Sequence, residues 1–337
     1  MCIHDWLSTC PSNGPDHMSR TDMLPRFRAA LRTAALSLFA CALSVGGAAP
    51  VQADPGARQF LGFGHFLDND LIGDGKDRWQ SGSYTLSWLR GPGWAGRLPQ
   101  QPFEILEYRL GGSIVAPARL RNPRPGDRRY VAKSMFSVHT PFAPAPGLEA
   151  DLGLGLVWTG PSNGVSQIQE FLHRVLSAPR PVVAANQWPN HLYPVATAEL
   201  ARPIALGVAE LRPFVSARAG DESFVRAGAD LAFGRREGGA LWLRDEVTGQ
   251  RYVGISGQQA GGTSFVLGGD IAHVFDSQYF PAAGGVALEP TRKRLRVGVT
   301  TRIGALGVFY GATWLSKEFK GQPEWQVIGS LRLRLNF

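Results

Sequence analysis

The sequence predicts an all-β protein, a twelve-stranded antiparallel transmembrane β-barrel with a short helix in an extracellular loop. Two observations carry that expectation. Apolar and polar residues alternate with period two in segments of about ten residues, repeated along most of the chain. Beyond the N-terminal region, no segment supplies eighteen consecutive apolar residues, so no helix is expected to cross a bilayer.

Composition removes other classes. The chain has 337 residues, a net charge of +8, 44% hydrophobic residues, 41 Gly and 24 Pro, too apolar for a wholly disordered chain. The positive charge is spread rather than blocked, which gives no case for nucleic acid. Its three cysteines, Cys2, Cys10 and Cys41, cannot make a disulfide framework, and no Cys/His cluster suggests structural zinc.

The N-terminus reads as a secretory signal peptide, residues 1–53. Arg26, Arg28 and Arg32 lead an uncharged stretch from Thr33 to Ala49, and Val51-Gln52-Ala53 offers small residues for cleavage after Ala53. Gly46, Gly47 and Pro50 interrupt the run, which is shorter than a membrane anchor requires. Met18 and Met23 are alternative starts. The exported barrel, residues 54–337, is then free of cysteine, which suits an oxidising compartment and excludes cysteine catalysis.

The strands are placed in order near 59–69, 80–91, 102–116, 128–139, 148–158, 193–203, 206–219, 222–236, 249–260, 291–303, 305–317 and 323–337. The last is the clearest: Val327, Leu331, Leu333, Leu335 and Phe337 lie on one face, with Gln326, Arg332, Arg334 and Asn336 on the other. Runs at Leu295–Thr301, Val225–Phe233 and Leu152–Trp158 alternate likewise. An even count puts both termini on the inner side. Loops near 70–79, 117–127, 159–192, 261–290 and 318–322 then fall outside. Short linkers near 204–205 and 304 fall inside, with longer inner connections near 92–101 and 237–248.

Within the loop 159–192 the period changes. Ile168, Leu172, Val175 and Leu176 follow helical spacing, after the punctuation Gly160-Pro161-Ser162-Asn163-Gly164. His173 and Gln169 share a face four residues apart. By pattern alone, a lone histidine on a short helix reads first as a surface or packing residue. The first outer loop is acidic: Asp68-Asn69-Asp70, Asp74 and Asp77 supply hard oxygen ligands of the kind Ca2+ takes, or simply a solvated turn. The second is basic, with Arg119, Arg121, Arg124, Arg128 and Arg129, suited to phosphates or to a solvated rim. There is no GxSxG elbow, and no Ser-His-Asp set can be picked from spacing.

Taken together, these segments resemble the outer-membrane lipid A 3'-O-deacylase family. The residues that carry the resemblance are Asn69-Asp70 with Gly73-Asp74-Gly75-Lys76-Asp77-Arg78-Trp79, then Tyr108-Arg109-Leu110-Gly111-Gly112, and Asn122-Pro123 with Gly126-Asp127-Arg128. Further along come Gly160-Pro161 with Gln167 to Leu176, Asn186-Gln187, and Lys317-Glu318-Phe319-Lys320-Gly321-Gln322. Their order and spacing are more specific than any one piece.

The resemblance implies an esterase at the boundary of barrel and outer leaflet, which removes the 3'-linked acyloxyacyl group of lipid A and depends on Ca2+. It implies His173 as the base that activates water, Asn69, Asp70 and Ser81 as further catalytic residues, Asp70 as the metal ligand, and Arg119 or Arg121 at a phosphate. A closing Phe337 looks like the assembly signal of bacterial outer-membrane barrels. That implies a Gram-negative outer membrane and handling by the barrel-assembly machinery. Three departures stand out: Ser81 replaces the family's Thr, no Lys occupies the second outer loop, and no acidic residue lies between His173 and Asn186. The last of these keeps two other expectations open, a barrel without hydrolase activity (structural, lipid-binding or channel) and an outer-membrane phospholipase.

Overall fold

The computed structural model describes residues 58–258, 262–281 and 285–335. The segment expected as a signal peptide, its expected cleavage site and Phe337 lie outside the described residues. Residues 52–171 and 179–337 belong to one unit, which holds the barrel, and Leu172–Ala178 belongs to another.

In chain order the elements are β1 (Gln59–Asn69), β2 (Trp79–Gly91), β3 (Leu106–Ala116), β4 (Val131–Phe142), β5 (Glu149–Thr159), the helix α1 (Val165–Val175), β6 (His191–Ala201) and β7 (Ile204–Leu206). They continue with β8 (Ala209–Ala219), β9 (Glu222–Gly234), β10 (Leu241–Arg244), β11 (Arg251–Ile255), β12 (Ser264–Ser277), β13 (Thr291–Ile303), β14 (Leu306–Leu315) and β15 (Gln326–Leu335). Every wall pairing is antiparallel. The sheet closes through β1 with β15 and β6 with β8, and β7 prolongs the line of β6 alongside β8. Pro203, which has no N–H to give the ladder, separates β6 from β7. Twelve strands therefore make a closed barrel, which removes every sheet edge.

The faces are those of a protein turned inside out. Outward positions are apolar and exposed, as at Phe60, Leu154, Phe275 and Leu295. Inward positions hold the buried polar and charged groups, among them Glu107, Arg296, Thr313 and Ser330. Inside, Arg296 bonds Asp230 and Asp270 at 2.5 Å each, and Arg294 reaches Asp270 at 2.9 Å. Arg212 bridges Glu149 and Glu199. Such cations are tolerable in a dry interior only because each is paired at close range.

One expectation needs correction. The segment 249–260 was expected as a wall strand and 261–290 as an outer loop. Instead β10 and β11 form a separate two-stranded hairpin, and the wall strand is β12, which pairs with β9 and β13. The hairpin's apolar side, Leu241, Leu243, Tyr252 and Ile255, packs on the inward Phe66, Leu89, Ile105 and Phe309. Its polar tip meets the charged wall: Arg244 with Glu199 at 2.7 Å and Asp230 at 2.9 Å, and Glu246 with Arg218 at 2.6 Å. The hairpin thus occupies part of the lumen and plugs it. A Cβ at Gly62 of β1 would stand 2.4 Å from the Gly254 carbonyl oxygen, so glycine is what lets this backbone lie against the wall. The expected long connection at 237–248 is the first half of the hairpin.

Candidate functional site

The outer loop between β1 and β2 is built around Asp70. Its carbonyl accepts the N–H groups of Gly73 and Gly75, each at 2.9 Å, and its own N–H donates to the Ser81 carbonyl at 3.1 Å. The carboxylate oxygen Oδ2 accepts the Arg78 N–H at 2.8 Å. Asn69 closes the turn from the other side, its Oδ1 accepting the Leu71 N–H at 2.9 Å. Trp79 adopts φ 48°, a sparsely populated region for a bulky residue. It is held there by complete burial and by the Arg78 guanidinium 4.2 Å above its ring. Arg78 in turn bonds Asp74 at 2.9 Å and pairs with Glu324, while Gln326 bridges the backbone of Arg78 and Gln80. The loop is therefore pinned to the β14–β15 connection.

Ser81, the second-strand hydroxyl, donates to Asp77 Oδ1 at 2.5 Å. Asp77 bears on Tyr130, whose phenol is pushed above its ordinary range by burial and by the Asp77 and Glu170 carboxylates. That phenol stays protonated and donates to Gln169 Oε1 on α1 at 2.7 Å. The first half of α1 is seated by Val165, which packs with Leu120, Tyr130, Val183 and Ala184. Asn163 starts it, its Oδ1 accepting the Val165 N–H at 3.0 Å. A chain of hydrogen bonds and electrostatic influence thus runs from the acidic loop, through Ser81, Asp77 and Tyr130, to Gln169 on the helix.

The segment Leu172–Ala178 ends the helix in a Schellman motif. The Ala178 N–H donates to the His173 carbonyl at 2.8 Å and the Ser177 N–H to the Arg174 carbonyl at 3.3 Å. Ser177 takes the left-handed position at φ 55°, where glycine is usual. His173 lies in this segment.

Of the residues singled out from sequence, Asn69, Asp70 and Ser81 come together at the outer ends of β1 and β2. Arg119 and Arg121 stand exposed on either side of the buried Leu120, whose carbonyl accepts the Val183 N–H at 3.0 Å. Arg128, of the same basic loop, is buried instead against Phe280 and paired with Glu318. Sequence reasoning missed Tyr130. Nothing in its spacing marks it, because its partner lies 39 residues away.

The fit of a Ca2+ ion can be tested on Asp70. Burial raises its carboxyl; the Arg78 N–H works against that, and the Asp77 and Asp74 carboxylates add to it, leaving it at about 9. A cation beside it would hold it ionised. The oxygens nearby are carboxylate, amide, hydroxyl and carbonyl, a hard donor set of the kind Ca2+ accepts. Among the described residues no three His, Cys, Asp or Glu side chains form a metal cage, so backbone carbonyls and water would have to complete the roughly six to eight ligands Ca2+ takes.

A closed, plugged barrel with an apolar outer belt and a polar cluster at one rim defines an integral outer-membrane β-barrel protein. The pattern of the family described as "Outer membrane protein LpxR" matches residues 36–337. The chain belongs to the LpxR family of outer-membrane proteins. Among solved structures it resembles LpxR from Salmonella typhimurium, with 17% identity, a TM-score of 0.64, and coverage of 83% of this chain and 100% of that one. The β domain of the Bordetella autotransporter BrkA is more distant, with 12% identity, a TM-score of 0.38, and coverage of 84% and 100%. No curated protein sequence matches the chain.

Proposed function

We propose that the chain is an outer-membrane esterase that removes the 3'-linked acyloxyacyl group from lipid A, with His173 as its base. The observation that carries this reading is the family match over residues 36–337. It is joined by the retention of Asn69, Asp70 and a hydroxyl at Ser81 around one rim loop. The plugging hairpin speaks against an open channel.

In this reading His173 takes a proton from water as the water oxygen attacks the ester carbonyl; the C–O bond to the sugar then breaks, the sugar oxygen takes that proton from His173, and the acyl group leaves as its acid. An imidazole suits that transfer because its ordinary pKa lies near neutrality. Asn69 keeps its carbonyl oxygen engaged with Leu71, which leaves its amide N–H groups to donate to the developing oxyanion. Ser81 is oriented by its bond to Asp77 and can accept a further hydrogen bond from the substrate. Exposed Arg119 and Arg121 would meet the lipid A phosphates, where a planar guanidinium can bond two oxygens at once. Asp70 would hold Ca2+, which would supply Lewis-acid polarisation of the carbonyl.

Mass spectrometry of lipid A from a host that expresses the chain tests this, beside a His173→Ala copy and with or without calcium chelation. The expected result is loss of an acyloxyacyl mass that is absent from both the variant and the chelated sample. Unchanged lipid A, with both proteins folded in the outer membrane, overturns the proposal. Release of fatty acid from phospholipid would point to a phospholipase instead.

A further inference from the structure

A second constellation lies in the wall between the middle of β4 and its inner end, away from the rim loop. On β4, Ser137 and His139 are two residues apart and so share a face. Ser137 Oγ lies 3.0 Å from His139 Nε2, and His139 Nδ1 lies 2.9 Å from Asp151 Oδ2 on β5. Nucleophile, base and orienting carboxylate are thus joined in order through the two ring nitrogens, the arrangement that activates a serine.

The wall is shaped around it. Gly153 and Gly155 face His139 and Ser137 across the β4–β5 ladder. A Cβ at Gly153 would fall 2.5 Å from the imidazole, and one at Gly155 would fall 2.6 Å from the Ser137 Cβ. Arg109 of β3 is directly opposite Ser137 in the ladder, and its guanidinium is held by both Glu107 oxygens at 2.7 and 2.9 Å. His139 and Asp151 line a lumen cavity of about 500 Å3 that extends to Trp94 and Arg97 at the inner end. Two buried atoms on that cavity, Thr197 Oγ1 and Asp151 Oδ1, have no hydrogen-bond partner within the protein. Polar groups left so are matched to something the cavity admits.

We infer that Ser137, His139 and Asp151 form a second, serine-based acyl-transfer site, which meets the lumen cavity through His139 and Asp151 with Ser137 buried beside them, and takes small polar esters rather than lipid. Ser137 Oγ attacks the acyl carbon as its proton passes to His139 Nε2. The C–O bond to the alcohol breaks, and the alcohol leaves with that proton. Water, deprotonated by the same imidazole, then cleaves the acyl-serine to the carboxylic acid and restores the hydroxyl. Asp151 is the positioning residue, holding the Nδ1–H tautomer.

The test is labelling of the full, folded barrel by a short-chain alkyl fluorophosphonate, mapped by mass spectrometry. The Oγ–P bond forms, the P–F bond breaks, and the proton goes to His139. The expected adduct is on Ser137. Its rate should fall at least about 100-fold in His139→Gln and stay unchanged in His173→Ala, which separates this site from the proposed lipid A site. In Asp151→Asn, the 15N shifts of the His139 ring should show the proton leaving Nδ1, which a merely structural carboxylate would not produce. No adduct on the folded wild-type chain, or an adduct on another serine, overturns the inference.

Discussion

Asp221 shows how single ionisable groups hold the outer turns together. It lies between β8 and β9, with Arg218 at 2.6 Å, the Tyr279 hydroxyl donating at 2.7 Å and Lys133 at 3.9 Å. Burial alone would raise its carboxyl, but Arg218 and Lys133 outweigh burial and hold it below the usual carboxylate range. A folded-state value below the unfolded one contributes stability that is fully present above the unfolded value, at about pH 4. That contribution is lost as pH falls through the folded value. In Asp221→Asn it is absent at every pH. The variant should therefore unfold about 2 kcal/mol more easily at neutral pH, and the gap should narrow below about pH 4. Urea titrations at a series of pH values would show this, and a gap independent of pH would refute it. Legibility at this scale follows chemistry. Asn69, Asp70 and Asp77 stand out because acidic side chains are dense in that loop. Tyr130 and the His139–Asp151 pair do not, because their partners are set by strand register and by the folding-back of a loop.

At the scale of elements, most wall strands could be read because their outward face is apolar and their inward face is polar. Strand β12 escaped that reading because Val266, Ala272 and Val274 put apolar residues on its inward face as well, around Asp270. The plug strand β11 reads as wall because Tyr252, Val253 and Ile255 give it β-forming apolar residues, yet it packs inside the barrel against Phe66. The number twelve survived because the two errors cancel. The hairpin's ends are already joined, Gly238 and Gln258 exchanging backbone bonds at 3.1 and 2.7 Å. Replacing 239–257 by a short glycine-serine bridge should then leave the barrel closed but empty its lumen. In planar bilayers the shortened chain should conduct ions well above the wild-type level. It should also be less stable, since Glu199, Arg218 and Asp230 lose their hairpin partners. Equal conductance would mean that the hairpin does not obstruct the pore.

For the whole molecule, the solvent decides the fold's polarity. A soluble barrel would hide Leu154, Leu295 and Phe275 and expose Arg296; this one does the reverse. Arg296 is fully buried and bonded to two carboxylates, where loss of one partner in such a pair typically costs about 3–5 kcal/mol. The apolar belt, by contrast, contributes only when lipid surrounds it. Depth therefore governs the cost of a charge on the outer face. Leu154, at the middle of β5 and highly exposed, should carry an Arg at a cost of about 2–4 kcal/mol in vesicles, whereas Val208→Arg in the β7–β8 turn should cost about 1 kcal/mol or less. Urea unfolding of the two variants in phospholipid vesicles measures the difference. If both cost the same, the belt does not face hydrocarbon. A large cost at Leu154 alone would fix the bilayer midplane at the centre of β5, leaving the Asp70 loop at one membrane surface and the Ser137–His139 pair, which flanks Val138 opposite Leu154, inside the barrel at the level of that plane.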